Sequence, residues 1–230
     1  MIEERPEEYL KIIGLAAEHG EEVTTSYLAV RLCVSMPSIT QMLQRLAAKG
    51  LVEHLPRRPV RLTAEGQRAA NSLIRRHRLW ESFLVRFLGF SWDEVHEEAG
   101  RLEHATSTAL EERLVEFLGD LASCPHGHAI PGRKHVTLST QILPLSQFDS
   151  AGAARIIRIR DETPEFLRRL ARLDVRPDRV IEVEGVNAED GSVWVRVDGK
   201  LKEVAADLAG SVMVERLKEA AASAADSGAA

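Results

Sequence analysis

Cysteine is nearly absent from this chain: there are two in 230 residues, Cys33 and Cys124, far apart in sequence. Two thiols so placed build no disulfide framework, and the small stapled folds of secreted domains are excluded. Long apolar runs are missing too. No stretch approaches the ~18 apolar residues of a membrane span, and the charged N-terminus lacks the apolar core of a secretory signal, so a cytoplasmic location is expected and no membrane partner. No H-E-x-x-H or comparable catalytic motif is present, which argues against a metal-dependent hydrolase; no enzymatic activity and no small-molecule substrate are expected. A net charge of −5 argues against indiscriminate nucleic-acid binding.

That average hides a segregation along the chain. Between Thr24 and Arg76 nine basic residues stand against Glu53 and Glu65, a local charge of +7. From Glu81 to Asp120 ten acids stand against Arg86, Arg101 and Arg113, a local charge of −7. The first stretch suits phosphate, and the second attracts cations and repels phosphate.

Hydrophobic spacing places a first helix over 6–19, opened by Pro6 and acids and closed by Gly20. A second helix follows over 24–32, capped by Thr24 or Thr25. After a turn at Cys33, Val34 and Ser35, a third runs from Pro37 to Lys49. Two short helices around a tight turn make a helix-turn-helix. Strands over 51–55 and 60–62, around Pro56-Arg57-Arg58-Pro59, read as a wing. Helices are expected from Thr63 to about Arg86, from near Ser91 to Gly100 or beyond, and over 107–118. Residues 127–150 read as a linker. Short strands after Arg155, separated by Gly and Asp turns, with one helix over 165–173, suggest a small barrel. The tail over 220–230, rich in Ala and Ser, is expected to be disordered. The fold class expected is therefore mainly α with small β: a winged helix-turn-helix over 1–75, a helical domain over 76–140 that suits dimerisation, a linker over 141–154 and a small β-barrel over 155–219.

Metal-capable side chains crowd the stretch behind the wing: His77, Glu81, His96, Glu103, His104, Cys124 and His126. His77 and Glu81 are four apart, so a helix projects both from one face. A DNA reader coupled to such a cluster points to a metal-sensing gene regulator. The bland readings are that His19, His54 and His135 are surface residues, Cys33 a buried small hydrophobe, and Trp80 and Trp92 core or dimer contacts.

The runs Arg76-His77-Arg78-Leu79-Trp80-Glu81, Val95-His96-Glu97-Glu98-Ala99 and Leu102-Glu103-His104 resemble the metal-site pattern of the iron- and manganese-dependent repressors of the diphtheria toxin repressor type. Ser35 to Gln41 resembles the start of that family's recognition helix, and residues 170–214 its appended SH3-like (FeoA-like) domain. Cys124-Pro125-His126-Gly127 looks like the version in streptococcal manganese regulators. The resemblance implies two metal positions per subunit. One would use His77, Glu81, His96, Cys124 and His126 with an acid from the barrel domain, Asp161 ahead of its rivals Glu162 and Glu165. The other would use Glu8, Glu103 and His104. There the chain departs from the family: Gly100 stands where manganese-responsive members carry a carboxylate, and Lys11 where manganese members without the barrel carry one.

Oxygen-rich donors favour Mn²⁺, with Fe²⁺ as the alternative; Zn²⁺, Co²⁺ or Cd²⁺ would substitute in vitro. The function expected is a metal-dependent homodimer that binds a palindromic operator in double-stranded DNA and controls metal-homeostasis genes. Base edges would be read by Ser35, Pro37, Ser38, Thr40, Gln41 and Gln44, and phosphates held by Thr24, Arg57 and Arg58. A metal buffer or transport accessory is the alternative from another class.

Overall fold

The computed structural model describes residues 6–55, 58–132 and 142–217. It divides into two compact units: Met1–Phe83 with Glu98–Asp120 and Ile130–Arg133, and Leu84–Glu97 with Leu121–Ala129 and Lys134–Ala230. The expected disordered tail over 220–230, the wing residue Arg57 and His135 lie outside the described residues. Among the described residues no helix is long and apolar enough to cross a membrane.

The first unit begins with α1 (Pro6–Glu18), where Pro6 fits the first turn and Glu7 and Glu8 complement the N-terminal dipole. Its buried face holds Tyr9, Leu10, Ile13, Gly14 and Ala16, and also Lys11. Helix α2 (Thr25–Leu32) is capped by the Thr24 hydroxyl, which accepts from the Tyr27 amide, and ends at Cys33 in the left-handed region (φ 54°). Cys33 is exposed. Its expected burial is thus corrected: the residue caps the helix at a turn open to solvent, with its thiol 3.8 Å from the Val30 carbonyl. Helix α3 (Met36–Ala48) is capped by Ser35, whose oxygen accepts from the Ser38 amide. Leu28, Ile39, Met42, Leu43 and Leu46 join the α1 face, Val23, Val52, Val60 and Ala70 in one core.

The wing strands are shorter than expected, β1 (Val52–Glu53) pairing antiparallel with β2 (Arg61–Leu62). Chain closure is secured instead by Val60, whose amide donates to the Val23 carbonyl at 2.7 Å. Thr63 starts α4 (Ala64–Leu88) by accepting from the Gly66 amide while its hydroxyl donates to the Gly50 carbonyl. Only glycine fits at position 66, because a Cβ there would lie 1.9 Å from the Leu51 carbonyl oxygen. Helix α5 spans Val95–Glu103, beginning later than the expected start near Ser91, whose carbonyl accepts from the Val95 amide. Helix α6 (Thr108–Leu118) is capped by Ser107.

The second unit is a six-stranded antiparallel sheet in the order β3-β8-β4-β5-β6-β7. Its strands are β3 (Ile142–Pro144), β4 (Gly152–Ile159), β5 (Val180–Val186), β6 (Val193–Val197), β7 (Lys200–Val204) and β8 (Val212–Arg216). Helices α7 (Pro164–Arg172) and α8 (Ala206–Ser211) complete it. Alternating residues such as Ile181 and Val183, or Val193, Val195 and Val197, face a core shared with Leu167, Leu170 and Trp92. Part of the expected linker is structured: β3 pairs with β8, and Leu145 and Phe148 are buried in this core. Three residues of strand are too few for a period of two to register in sequence.

Candidate metal centre and nucleic-acid interface

Three helices of the first unit converge on one buried cluster. Helix α4 carries His77 and Glu81 one turn apart, α5 ends at Glu103, and α1 contributes Glu8 and Lys11. Relative exposure is 5% for His77, 1% for Glu81, 0% for Glu103 and 6% for Lys11. The Lys11 ammonium donates to both Glu103 oxygens, at 2.7 and 2.8 Å, and lies 3.2 Å from His77 Nδ1. His77 Nδ1 is 2.5 Å from Glu103 Oε2. A carboxylate only accepts, so a ring nitrogen that faces one has a donor's geometry; with Nε2 on an ion, Nδ1 would keep the proton that it shares with Glu103. His77 Nε2 is directed at Glu81 Oε1, 3.0 Å away. A histidine that donates one ring nitrogen to a carboxylate and presents the other to a second oxygen donor has the arrangement of a metal-ligating histidine. Burial raises the Glu103 pKa, but the His77 hydrogen bond and the charges of Lys11 and His77 outweigh it and hold the group below the ordinary carboxylate range.

His104, directly after α5, places Nε2 3.2 Å from Glu8 Oε2 and 3.4 Å from Glu103 Oε1, with Nδ1 3.2 Å from Glu7. Donor atoms of Glu8, Glu103 and His104 thus lie within 4.8 Å of one another, and the structure brings together all three residues expected at the second position. They do not fit a divalent ion as they stand. Glu103 already gives both oxygens to Lys11, and Gly100 supplies no side chain.

The second unit gathers His96, His126 and His128 around Glu162. The Glu162 carboxylate lies 3.1 Å from His96 Nδ1, 3.7 Å from His126 Nδ1 and 3.1 Å from His128 Nε2. His126 Nε2 donates to the Trp92 carbonyl at 2.7 Å, which leaves Nδ1 on the Glu162 side; His128 Nε2 donates to the Ile159 carbonyl at 2.7 Å. Cys124 is buried, and its amide and carbonyl hold the turn through bonds to the His128 carbonyl and the Gly127 amide, both 2.9 Å. Gly127 sits at φ +85° with no room for a Cβ, which would fall 2.0 Å from the Ile157 carbonyl oxygen. Thiol, imidazole and carboxylate donors gathered in this way fit a borderline divalent ion. Among the three acids weighed from sequence, the one presented to the histidines is Glu162. Asp161 instead accepts from the Thr163 amide at 2.9 Å ahead of α7, and Glu165 is exposed. His128 was missed; its signal was the His-Gly-His alternation, which puts two imidazoles on one side of a turn. His77 and Glu81 belong to the first unit, and His96, Cys124 and His126 to the second.

The N-terminal half of α3 offers an exposed polar edge. Ser35, Pro37, Gln41 and Gln44 are exposed, and Ser38 and Thr40 partly so. Thr40 spends its hydroxyl on the Met36 carbonyl at 3.0 Å, which leaves its methyl as the group available for contact. Thr24 at the α2 N-terminus and Arg58 in the wing are both exposed.

A winged helix-turn-helix whose own compact unit holds a buried carboxylate–imidazole cluster defines a metal-linked DNA-binding regulator. Residues 1–60 match the family described as iron dependent repressor, N-terminal DNA binding domain. Residues 63–132 match its metal binding and dimerisation domain, and 143–216 the FeoA domain. The diphtheria toxin repressor of Corynebacterium glutamicum is 33% identical over 220 residues, covering 92% of this chain and 96% of that protein. The iron-dependent repressor IdeR of Mycobacterium tuberculosis is 38% identical over 126 residues, 55% of each chain. A solved manganese-dependent transcriptional repressor in complex with manganese superposes with a TM-score of 0.84 at 35% identity, covering 93% of this chain and all of that one. This chain belongs to the diphtheria toxin repressor family of metal-dependent transcriptional repressors.

Proposed function

We propose that this chain is a manganese-responsive repressor that acts in the cytoplasm as a homodimer on a palindromic operator and controls metal-homeostasis genes. The observation that carries the reading is that the helix-turn-helix and the His77–Glu81–Glu103 cluster share one compact unit, joined through α1. His77 and Glu81 in the first unit, and His96, Cys124 and His126 with Glu162 in the second, are the proposed metal donors. A divalent ion would supply positive charge where His77 Nε2 faces the Glu81 carboxylate. Glu103 orients the His77 ring and Lys11 holds Glu103, and Lys11 belongs to α1, whose Tyr9, Leu10 and Ile13 share the reader's core. Ordering at His77 would thereby reach α1 and through it α3. Ser35, Pro37, Ser38, Thr40, Gln41 and Gln44 would face bases, and Thr24, Arg57 and Arg58 phosphates.

Manganese is favoured because Glu81 and Glu162 offer hard carboxylate oxygens beside the imidazoles. It is also the ion named with the solved relative. Iron is the second reading, favoured by the name of the mycobacterial relative. Irving–Williams order makes Zn²⁺ or Co²⁺ bind tightly whichever ion is physiological, so the test compares ions at equal free activity. Binding to DNA from upstream of manganese-transport genes, in buffers that fix free Mn²⁺ or Fe²⁺ at the same level, is expected to require Mn²⁺. DNA binding driven by Fe²⁺ and not by Mn²⁺ would assign the chain to iron.

A further inference from the structure

The resemblance to the family implies two exchangeable metal positions per chain, and the structure fills one of them with a side chain. Lys11 is buried on α1, where a charge is costly unless compensated. Its compensation is complete: both oxygens of Glu103, itself fully buried, accept from the ammonium. Glu103 also holds the His77 Nδ1 proton, so its lone pairs are committed on two sides. What remains for a second ion is Glu8, half exposed, and His104. The Gly100 position is bare, and a Cβ built there would meet nothing within 4 Å.

We propose that Lys11 is the resident cation of the Glu8–Glu103–His104 cluster. Its ammonium takes the place in the charge balance that a second metal ion would take, and each chain exchanges one divalent ion instead of two. The proposal rests on the metal-sensing function given above. It makes Lys11 a determinant of how many ions the protein counts: the link from α1 to Glu103 and His77 is made permanently by an ammonium, and only the proposed donors outside the Glu8–Glu103–His104 cluster answer to the metal supply.

The test is Mn²⁺ stoichiometry on the full chain, with free Mn²⁺ followed by electron paramagnetic resonance during titration. The wild-type chain is expected to take up one equivalent per chain, and His104→Ala is expected to leave that count unchanged. Lys11→Leu, checked for folding by circular dichroism, is expected to gain a second equivalent that Lys11→Leu with His104→Ala loses again, and Lys11→Arg to remain at one. Two equivalents of comparable affinity in the wild-type chain, or loss of an equivalent in His104→Ala, would overturn the proposal without recourse to the Lys11 variants; so would a folded Lys11→Leu chain that still binds one. Failure to bind Mn²⁺ at all would overturn the proposed function along with it, so the two failures are told apart.

Discussion

Lys11 and Glu103 form a buried ion pair on which stability and the proposed metal signalling both depend. Each is buried, and ammonium and carboxylate face one another at 2.7 Å. A buried ion pair adds little against a well-packed apolar pair, but removing one partner strands the other, at a cost of about 3–5 kcal/mol. Glu103→Ala is therefore expected to lower the stability of the first unit by about that amount, read as a shift in urea midpoint at constant slope. Replacing both residues by leucine is expected to recover most of it. A loss below about 1 kcal/mol would mean that the ammonium finds water, and the pair would then be an ordinary surface contact. At this scale the sequence was only partly legible. His77, Glu81 and Glu103 were found from helical spacing and family pattern, because a period of 3.6 fixes which side chains share a face. That Lys11 points inward was hidden, since a lysine is read as a solvated residue until the burial of its neighbours is known. The preference of Glu162 over Asp161 was hidden too: it depends on Asp161 being taken up by the Thr163 amide, a local turn that no spacing rule reveals.

Among the elements, the proposal divides the work of DNA binding between the reader and its wing: the exposed edge of α3 with Gln41 would read, and Thr24 and Arg58, both exposed, would hold phosphates together with Arg57. Gln41→Ala is expected to relax preference at one base pair by about 1–3 kcal/mol while leaving the salt dependence alone. Arg57→Ala with Arg58→Ala is expected to weaken all sequences alike and to make the slope of log K against log salt shallower by up to about 0.9 for each phosphate that is no longer neutralised. Measured slopes for wild type and double variant decide it; an unchanged slope would remove the wing from the interface. The helices of this reader were legible to within a residue or two because their caps, Thr24 and Ser35, are chemically explicit. The small elements were not. Strand β3 and helix α8 span three and six residues, shorter than the windows over which periodicity can be judged.

For the molecule as a whole, DNA affinity becomes a readout of metal occupancy. An ion that binds only the reading conformation stabilises it by RT ln(1 + [L]/Kd), about 2.7 kcal/mol at a hundredfold excess over Kd, which is roughly a hundredfold in DNA affinity. Exposed Leu110 and Phe117 on α6 suit the dimerisation that the matched family domain describes, and two readers related by a two-fold axis would set half-sites about one helical turn apart. The order of the large elements, reader then helical cluster then barrel, followed from composition and charge because each has its own period and sign. The measurement that tests metal-gated DNA binding most directly is fluorescence anisotropy of a labelled fragment from upstream of a manganese-transport gene, titrated with protein at fixed salt, in Mn²⁺ and in chelator, for the wild-type chain and His77→Ala. The expected result is saturable binding that rises about a hundredfold with Mn²⁺ and a His77→Ala chain that stays folded and binds equally weakly in both; wild-type binding that is the same in chelator as in Mn²⁺ would contradict it.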